Sequence, residues 1–222
     1  MFTVTLAPIP APFAVTREAM EAICGSDRVF LQTIRHPSAR LVLDACACVD
    51  AMDDLYDQSA DFDGLNAAVA ARLAEAGDCV YAFTGNIYAT QLPAILQAVR
   101  DRGGRVTVLP GPTLAEAAFP DKPRGGVYPA TQLPEELSPS EPLMVEEIDS
   151  PIRAGEVKLR LMEYYPDEWE ILLFDMDAEG TPSRRSIPLH LLDRQDGYTA
   201  VTALYAPPVP FERLERFGYR EL

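Results

Sequence analysis

Apolar and polar positions in the first half of the chain follow two alternating periods. The run Cys79–Phe83 is continuously apolar, which is typical of a parallel strand that is covered on both faces. In residues 61–76 apolar side chains recur every three or four positions, which predicts a helix with one buried face. Further strands are predicted at residues 2–6, 28–32 and 105–109, and further helices at residues 17–23, after a Thr16 cap, and 92–99. Strands and helices alternating at these lengths favour an α/β layer.

A proline-rich segment separates this half from the next. Six prolines and the pair Gly125-Gly126 fall within residues 119–142. Because proline opposes helix interiors and central strands, we predict a linker that packs on the surface. Beyond it, the pattern predicts a strand at 143–145, a helix opened by Ser150 and Pro151, and strands at 171–174 and 198–202.

The charge balance narrows the classes of partner. The net charge is −15 and the isoelectric point is near 4.5, so most of the surface would repel a phosphate backbone and we predict no nucleic-acid binding. No apolar run approaches the roughly 20 residues that a membrane helix needs, and the first residues lack the basic region of a signal peptide. We therefore predict no membrane partner and a cytoplasmic location.

The four cysteines do not have the spacing of a metal site. Cys46 and Cys48 are one residue too close for the usual zinc pair, no second pair follows, and Cys24 and Cys79 stand alone. We predict that no metal binds and that the thiols are reduced, small apolar residues.

Two glycines follow predicted strands at the edge where open parallel sheets bind ligands. Gly85 comes after the strand Cys79–Phe83, and Gly111 comes after the strand at 105–109. Glycine lets the backbone turn sharply and lets a ligand approach the amides closely. Spacing alone leaves two interpretations open, a ligand-binding loop and a tight strand-to-helix turn.

Three separated segments carry a resemblance to a known family. Residues 33–37, 157–167 and 188–194 resemble the tetrapyrrole methylases, and are most similar to the branch often fused to a MazG-type nucleotide pyrophosphohydrolase. The resemblance implies two α/β domains with a cleft between them, the first with a mainly parallel sheet and the second with a mixed sheet. We place these domains at residues 1–118 and 143–222. It also implies a homodimer that acts on a small-molecule substrate.

The same resemblance implies a cofactor and its site. In tetrapyrrole methylases the loops after these two strands hold S-adenosylmethionine, largely through backbone contacts. The corresponding residues of this chain are Phe83, Thr84, Gly85, Asn86, Pro110, Gly111, Pro112 and Thr113. Arg35 and His36, just past a strand end, could meet a substrate carboxylate or take a proton, or could form a charged loop with a structural histidine.

The loop after the first strand departs from the family pattern. The family has a glycine-rich turn with an aspartate there, whereas this chain has Pro8 and Pro10 at glycine positions and Ala11 at the aspartate. Proline cannot enter the positive-φ region that glycine uses, so the loop is expected to take another path. Two functions remain open: methyl transfer from S-adenosylmethionine to an unknown acceptor, and a lapsed enzyme that acts as a ligand-binding or regulatory protein.

Two pairs of acidic residues allow further hypotheses. Asp53 and Asp54 fit a metal or general-base site, and they fit a helix-start cap slightly better. Glu146 and Glu147 replace a threonine-glutamine pair common in the branch, and their charges are expected to oppose an acidic macrocycle bound nearby.

Overall fold

The computed structural model describes residues 1–85, 91–210 and 212–213. The chain divides into two compact units. The first unit runs from Met1 to Thr113 and includes Ala178–Gly180, and the second comprises Leu114–Asp177 and the chain from Thr181 onward.

A five-stranded sheet forms the centre of the first unit. All of its strands are parallel, and their spatial order is β3-β2-β4-β1-β5. The strands are β1 (Phe2–Pro8), β2 (Val29–Leu31), β3 (Val49–Ala51), β4 (Cys79–Phe83) and β5 (Gly104–Val108). Every residue of β4 is buried, as expected for a central strand with helices on both faces.

Side-chain hydrogen bonds mark the starts of two helices of the first unit. The helices of this unit are α1 (Arg17–Gly25), α2 (Ala39–Ala45), α3 (Asp53–Gln58), α4 (Phe62–Ala76) and α5 (Gln91–Asp101). The Thr16 hydroxyl accepts the amide of Ala19 at 3.2 Å, and the Asp61 carboxylate accepts the amide of Gly64 at 2.7 Å, so each side chain satisfies a backbone donor at a helix start. Gly77, at φ 83°, ends α4 in the region that favours glycine.

The second unit contains a mixed five-stranded sheet with the order β6-β7-β10-β8-β9. Its strands are β6 (Gly126–Pro129), β7 (Leu143–Glu146), β8 (Glu170–Met176), β9 (Pro182–Pro188) and β10 (Ala203–Ala206), and its helices are α6 (Leu114–Ala118) and α7 (Pro151–Met162). Only the β6–β7 pair is parallel among the described strands of this sheet. These two sheets give the α/β class with a parallel and a mixed sheet that the sequence predicts.

Helix α7 anchors the second core. The Ser150 hydroxyl caps it by accepting the amide of Arg153 at 3.2 Å, and Val157 and Leu161 are fully buried. Lys158 donates to the Asp193 carboxylate at 2.5 Å across to the 3₁₀ helix Leu189–Arg194. That bond holds the pKa of Asp193 below its ordinary value.

Two elements differ from the sequence prediction. The sequence predicts a strand at residues 198–202, but the structure has a turn there. Two hydrogen bonds between Thr199 and Thr202 hold this turn. The amide of Thr199 donates to the Thr202 hydroxyl at 2.9 Å, and the amide of Thr202 donates to the Thr199 carbonyl at 2.9 Å. The strand follows at β10. The proline-rich segment 119–142 contributes the edge strand β6, and an edge is where a sheet accommodates Pro129.

Within the described residues, no helix combines the length and the apolar character that crossing a membrane requires.

Candidate functional site

The carboxyl ends of β1, β4 and β5 lie side by side at one edge of the first sheet. The strand order places β1 between the other two, with Pro8 aligned to Phe83 and Leu6 aligned to Val108. Neighbouring strands lie about 4.8 Å apart, so the loops after β4 and β5 start about 10 Å from each other. This is the edge at which open α/β sheets bind ligands.

The side chain of Gln32, the residue directly after β2, fixes the start of the loop after β4. The Oε1 atom of Gln32 accepts the amide of Thr84 at 2.8 Å and its hydroxyl at 3.2 Å, and Nε2 of Gln32 donates to the Tyr56 hydroxyl at 3.1 Å. Gly85 forms a half-buried bend immediately afterwards. Asn86, the last predicted residue of this loop, lies outside the described residues.

The loop after β5 packs against the end of β1. A Cβ atom built on Gly111 would lie 2.5 Å from Cγ of Pro8, so the proline ring already occupies the position of a side chain at residue 111. Gly111 and Pro110 are exposed, while Pro112 and Thr113 are half-buried. The carbonyl of Pro110 accepts the Thr16 hydroxyl at 3.4 Å, which ties this loop to the start of α1.

The chain after β1 continues in an extended path. The amide of Ile9 donates to the carbonyl of Phe83 at 2.8 Å, which prolongs the parallel pairing by one residue past Pro8. Pro10 and Ala11 are buried, and Ala11 is extended at φ −154° before a short 3₁₀ turn. The Phe83 carbonyl is therefore bonded within the protein, and the Phe83 side chain belongs to the core.

Arg35 is held between two carboxylates of α3. Its guanidinium lies 3.6 Å from Asp53 and 3.2 Å from Asp57, and 68% of its side chain is exposed. Asp53 also accepts the Thr33 hydroxyl at 2.7 Å and the amide of Ile34 at 2.9 Å. One positive and two negative charges leave this cluster with a net negative charge, which does not favour a carboxylate ligand.

The helix-cap interpretation of the acidic pair is wrong. Met52 occupies the cap position of α3, and no side-chain bond caps this helix. Asp53 instead ties down residues 33–35, and Asp54 forms a two-pronged ion pair with Arg72 at 2.7 Å for each contact. Arg72 holds the pKa of Asp54 below its ordinary value. In the part of the chain that the structure describes, no group of three or more His, Cys, Asp or Glu side chains could hold a metal ion.

His36 is half-buried beside the same cluster. Burial lowers its pKa from 6.5 to about 4. Its Nδ1 atom accepts the amide of Ser38 at 3.1 Å, a bond that a proton on Nδ1 would abolish. His36 is thus neutral at pH 7 and adds no positive charge to the edge of the sheet.

Glu146, which the sequence predicts to repel an acidic ligand, is instead 1% exposed. Its carboxylate accepts the amide of Ala115, in α6, at 2.7 Å within the second unit. Glu147 has a positive φ of 60°. The buried carboxylate of Glu146 therefore has a bonding role in the fold.

Two surface depressions lie away from the glycine loops. One, of about 400 Å³, is bordered by Arg28, Asp50 and Arg72, and the other, of about 480 Å³, includes Glu21 and Asp78. Neither is lined by a residue of the predicted cofactor site.

Sequence reasoning missed Gln32 and the contact between Pro8 and Gly111. Gln32 stands at the end of a predicted strand, next to the segment that carries the resemblance, and this position is the signal that could have identified it. Nothing in the local pattern links Pro8 to a residue more than 100 positions away.

Comparisons with known proteins bear on fold more than on family. No family model matches this sequence. The uncharacterised protein YabN of Bacillus subtilis is 26% identical over 200 residues, which cover 85% of this chain and 41% of YabN. The chain thus spans about two fifths of that relative's length.

Solved structures match over nearly the whole chain. A uroporphyrin-III C-methyltransferase from Thermus thermophilus has a TM-score of 0.69 at 18% identity, with full coverage of both chains. A structure of the Thermus thermophilus enzyme complexed with S-adenosyl homocysteine has a TM-score of 0.66 at 16% identity, covering 92% of this chain and 97% of that one. The cobalt precorrin-4 methyltransferase CbiF reaches 0.65 at 14% identity, covering 92% and 94%. The chain has the two-sheet α/β fold of these tetrapyrrole methyltransferases.

Proposed function

We propose that this chain is an S-adenosylmethionine-dependent methyltransferase of the tetrapyrrole methylase type, acting on a small-molecule acceptor. The observation that carries the proposal is the match of fold over the full length of the Thermus thermophilus uroporphyrin-III C-methyltransferase. A second matching structure of the Thermus thermophilus enzyme is complexed with S-adenosyl homocysteine. The proposal includes a homodimer, a cytoplasmic location, and domains at residues 1–118 and 143–222.

The accessible backbone of the two loops fits a nucleoside bound by backbone contacts. Thr84 and Gly85 are half-buried, Pro110 and Gly111 are exposed, and the two loops start at a separation of nucleoside size. In this proposal the cofactor lies against Phe83–Gly85 and Asn86 on one side and residues 110–113 on the other. Gln32 holds the first loop, and Thr16 holds the second.

The chemistry needs little from ionisable side chains. The sulfonium of bound S-adenosylmethionine supplies an activated methyl group. The protein's contribution is to align the donor with the acceptor, which can lower the activation free energy by several kcal/mol. Arg35 and His36 are proposed to contact the acceptor, with His36 neutral and Arg35 already paired to Asp53 and Asp57.

A second function is favoured by one contact. The ring of Pro8 fills the space beside Gly111. Packing within the protein is therefore enough to explain why residue 111 has no side chain, without a bound ligand. A lapsed enzyme that still binds a ligand would tolerate this closure. Incubation with S-adenosylmethionine labelled in its methyl group, together with porphyrin and corrin acceptors, separates the two: label on an acceptor supports the enzyme, and binding without label transfer supports the lapsed form.

Replacing Gln32 with leucine is expected to weaken S-adenosylmethionine binding about tenfold, because the Thr84 amide loses its acceptor and the loop loses its fixed start. Gln32→Glu keeps an acceptor for Thr84 and is expected to bind within about threefold of the wild type. Isothermal titration calorimetry measures both dissociation constants.

The matched control is Gln97→Leu, which removes an exposed bond to Asp101 on α5. Equal affinity of the wild type and Gln32→Leu, in a protein that does bind the cofactor, would contradict the positioning role of Gln32.

A further inference from the structure

Two of the four cysteines lie where helices α1 and α2 end. Cys24 lies in the last turn of α1 and is exposed, and Cys46 is the residue that caps the end of α2 and is half-buried. Cys48 is exposed two residues further on, and Cys79 is buried in β4. All four are free thiols.

The contact between Cys46 and the end of α1 is direct. Sγ of Cys46 donates to the carbonyl of Ile23, the residue that precedes Cys24, at 3.4 Å. Ile23 and Val42 are buried in the same apolar cluster, against which Cys46 packs. The packing of the two helices therefore places the Cys46 thiol against the backbone next to Cys24, so the two cysteines lie in the same part of the surface.

We propose that Cys24 and Cys46 form a redox modification site, which a low-molecular-weight disulfide such as oxidised glutathione converts into an intramolecular disulfide. The Cys24 thiolate attacks one sulfur of the oxidant, forming a mixed disulfide and releasing one reduced thiol. The Cys46 thiolate then attacks the sulfur of Cys24, which forms the Cys24–Cys46 bond and releases the second reduced thiol. Two protein thiols are oxidised and one small disulfide is reduced to two thiols, so electrons and protons balance.

Exposure sets the order of these steps. Cys24 is the accessible thiol and meets the oxidant first. Burial, with a further contribution from Cys24, raises the pKa of Cys46 above its ordinary value. Because the thiolate is the attacking species, the second step is expected to accelerate as pH rises.

The bond would close a loop that contains a candidate functional segment. Residues 24–46 include β2, Gln32 and the segment 33–37 with Arg35 and His36. A disulfide across a loop of this length removes conformational freedom from the unfolded chain, and it is expected to raise the melting temperature by about 5 °C or more. The inference does not depend on any methyl transfer.

The test compares the intact protein with three serine variants in a glutathione redox buffer. The wild type and Cys48→Ser are expected to lose the mass of two hydrogens, to form a cross-linked peptide containing Cys24 and residue 46, and to melt at a higher temperature. Cys24→Ser and Cys46→Ser are expected to form no such cross-link. Circular dichroism of the reduced variants checks that each is folded.

Three outcomes would overturn the proposal. These are loss of the cross-link in Cys48→Ser, persistence of an intramolecular disulfide in Cys46→Ser to the same extent as in the wild type, and a folded wild type that accumulates only mixed disulfides. Each would show that the Cys24 and Cys46 thiols do not form the reactive pair.

Discussion

Alanine at position 111 is expected to lower the free energy of unfolding by about 2 kcal/mol. The added Cβ would lie 2.5 Å from Cγ of Pro8, well inside van der Waals contact. The proline ring is anchored in β1, where Pro8 aligns with Phe83, so it cannot rotate away as a flexible side chain would. Chemical denaturation of the wild type and Gly111→Ala measures the loss.

A double-mutant cycle tests the cause. Pro8→Ala removes the ring, so Gly111→Ala in the Pro8→Ala background is expected to cost less than about 0.5 kcal/mol. Gly25→Ala is the matched control, since a Cβ there would meet nothing within 4 Å. Equal losses from Gly111→Ala with and without Pro8 would show that the ring and the glycine are not in contact.

His36→Gln is expected to remove about 3 kcal/mol of pH dependence from the free energy of unfolding between pH 6.5 and pH 4. Burial lowers the pKa of His36 from 6.5 to about 4 in the folded chain. As pH falls through this window, the unfolded state gains a proton that the folded state does not, so the wild type loses stability. At pH 7 the folded state is neutral at this residue and the unfolded state is mostly neutral, so the contribution is small.

Carboxylates also titrate in acid, so the test compares the slope of unfolding free energy against pH in the wild type with the slope in His36→Gln. His190→Gln is the control, because His190 is the other histidine and lies in the second unit. Denaturation curves at half-unit pH steps give the slopes. A His36→Gln slope equal to that of the wild type would show that His36 titrates alike in both states.

Much of the first sheet could be predicted because its signals are local. The continuous apolar run of β4 and the threonine cap of α1 each depend on a few neighbouring residues, and the structure has both where the sequence predicts them. The cap of α7 by Ser150 is of the same kind.

Other elements depended on contacts that no local pattern records. Strand β9 reads Pro-Ser-Arg-Arg-Ser-Ile-Pro, in which four polar or charged residues follow one another, and it exists because it pairs with β8 along seven aligned residues. Residues 198–202 have strand-forming composition, yet the hydroxyls of Thr199 and Thr202 bond the backbone and turn the chain.

Some features of the candidate site could likewise be predicted from local sequence, and others required the fold. The positions of Gly85 and Gly111 after their strands could be predicted from hydrophobic runs. The bond from Gln32 to Thr84 spans 52 positions, and the contact of Pro8 with Gly111 spans more than 100, so both required the fold. The carboxylates that pair with Arg35 likewise come from a different helix, α3.

Calorimetric titration of the full chain with S-adenosylmethionine, repeated with S-adenosyl homocysteine, tests the proposed function most directly. We expect saturable heat with one site per chain, a rise in melting temperature with either compound, and weaker binding by Gln32→Leu but not by Gln97→Leu. Absence of both heat and thermal shift at millimolar concentrations of both compounds would contradict the proposed function, and would leave this chain with the fold of the methyltransferases but without their cofactor.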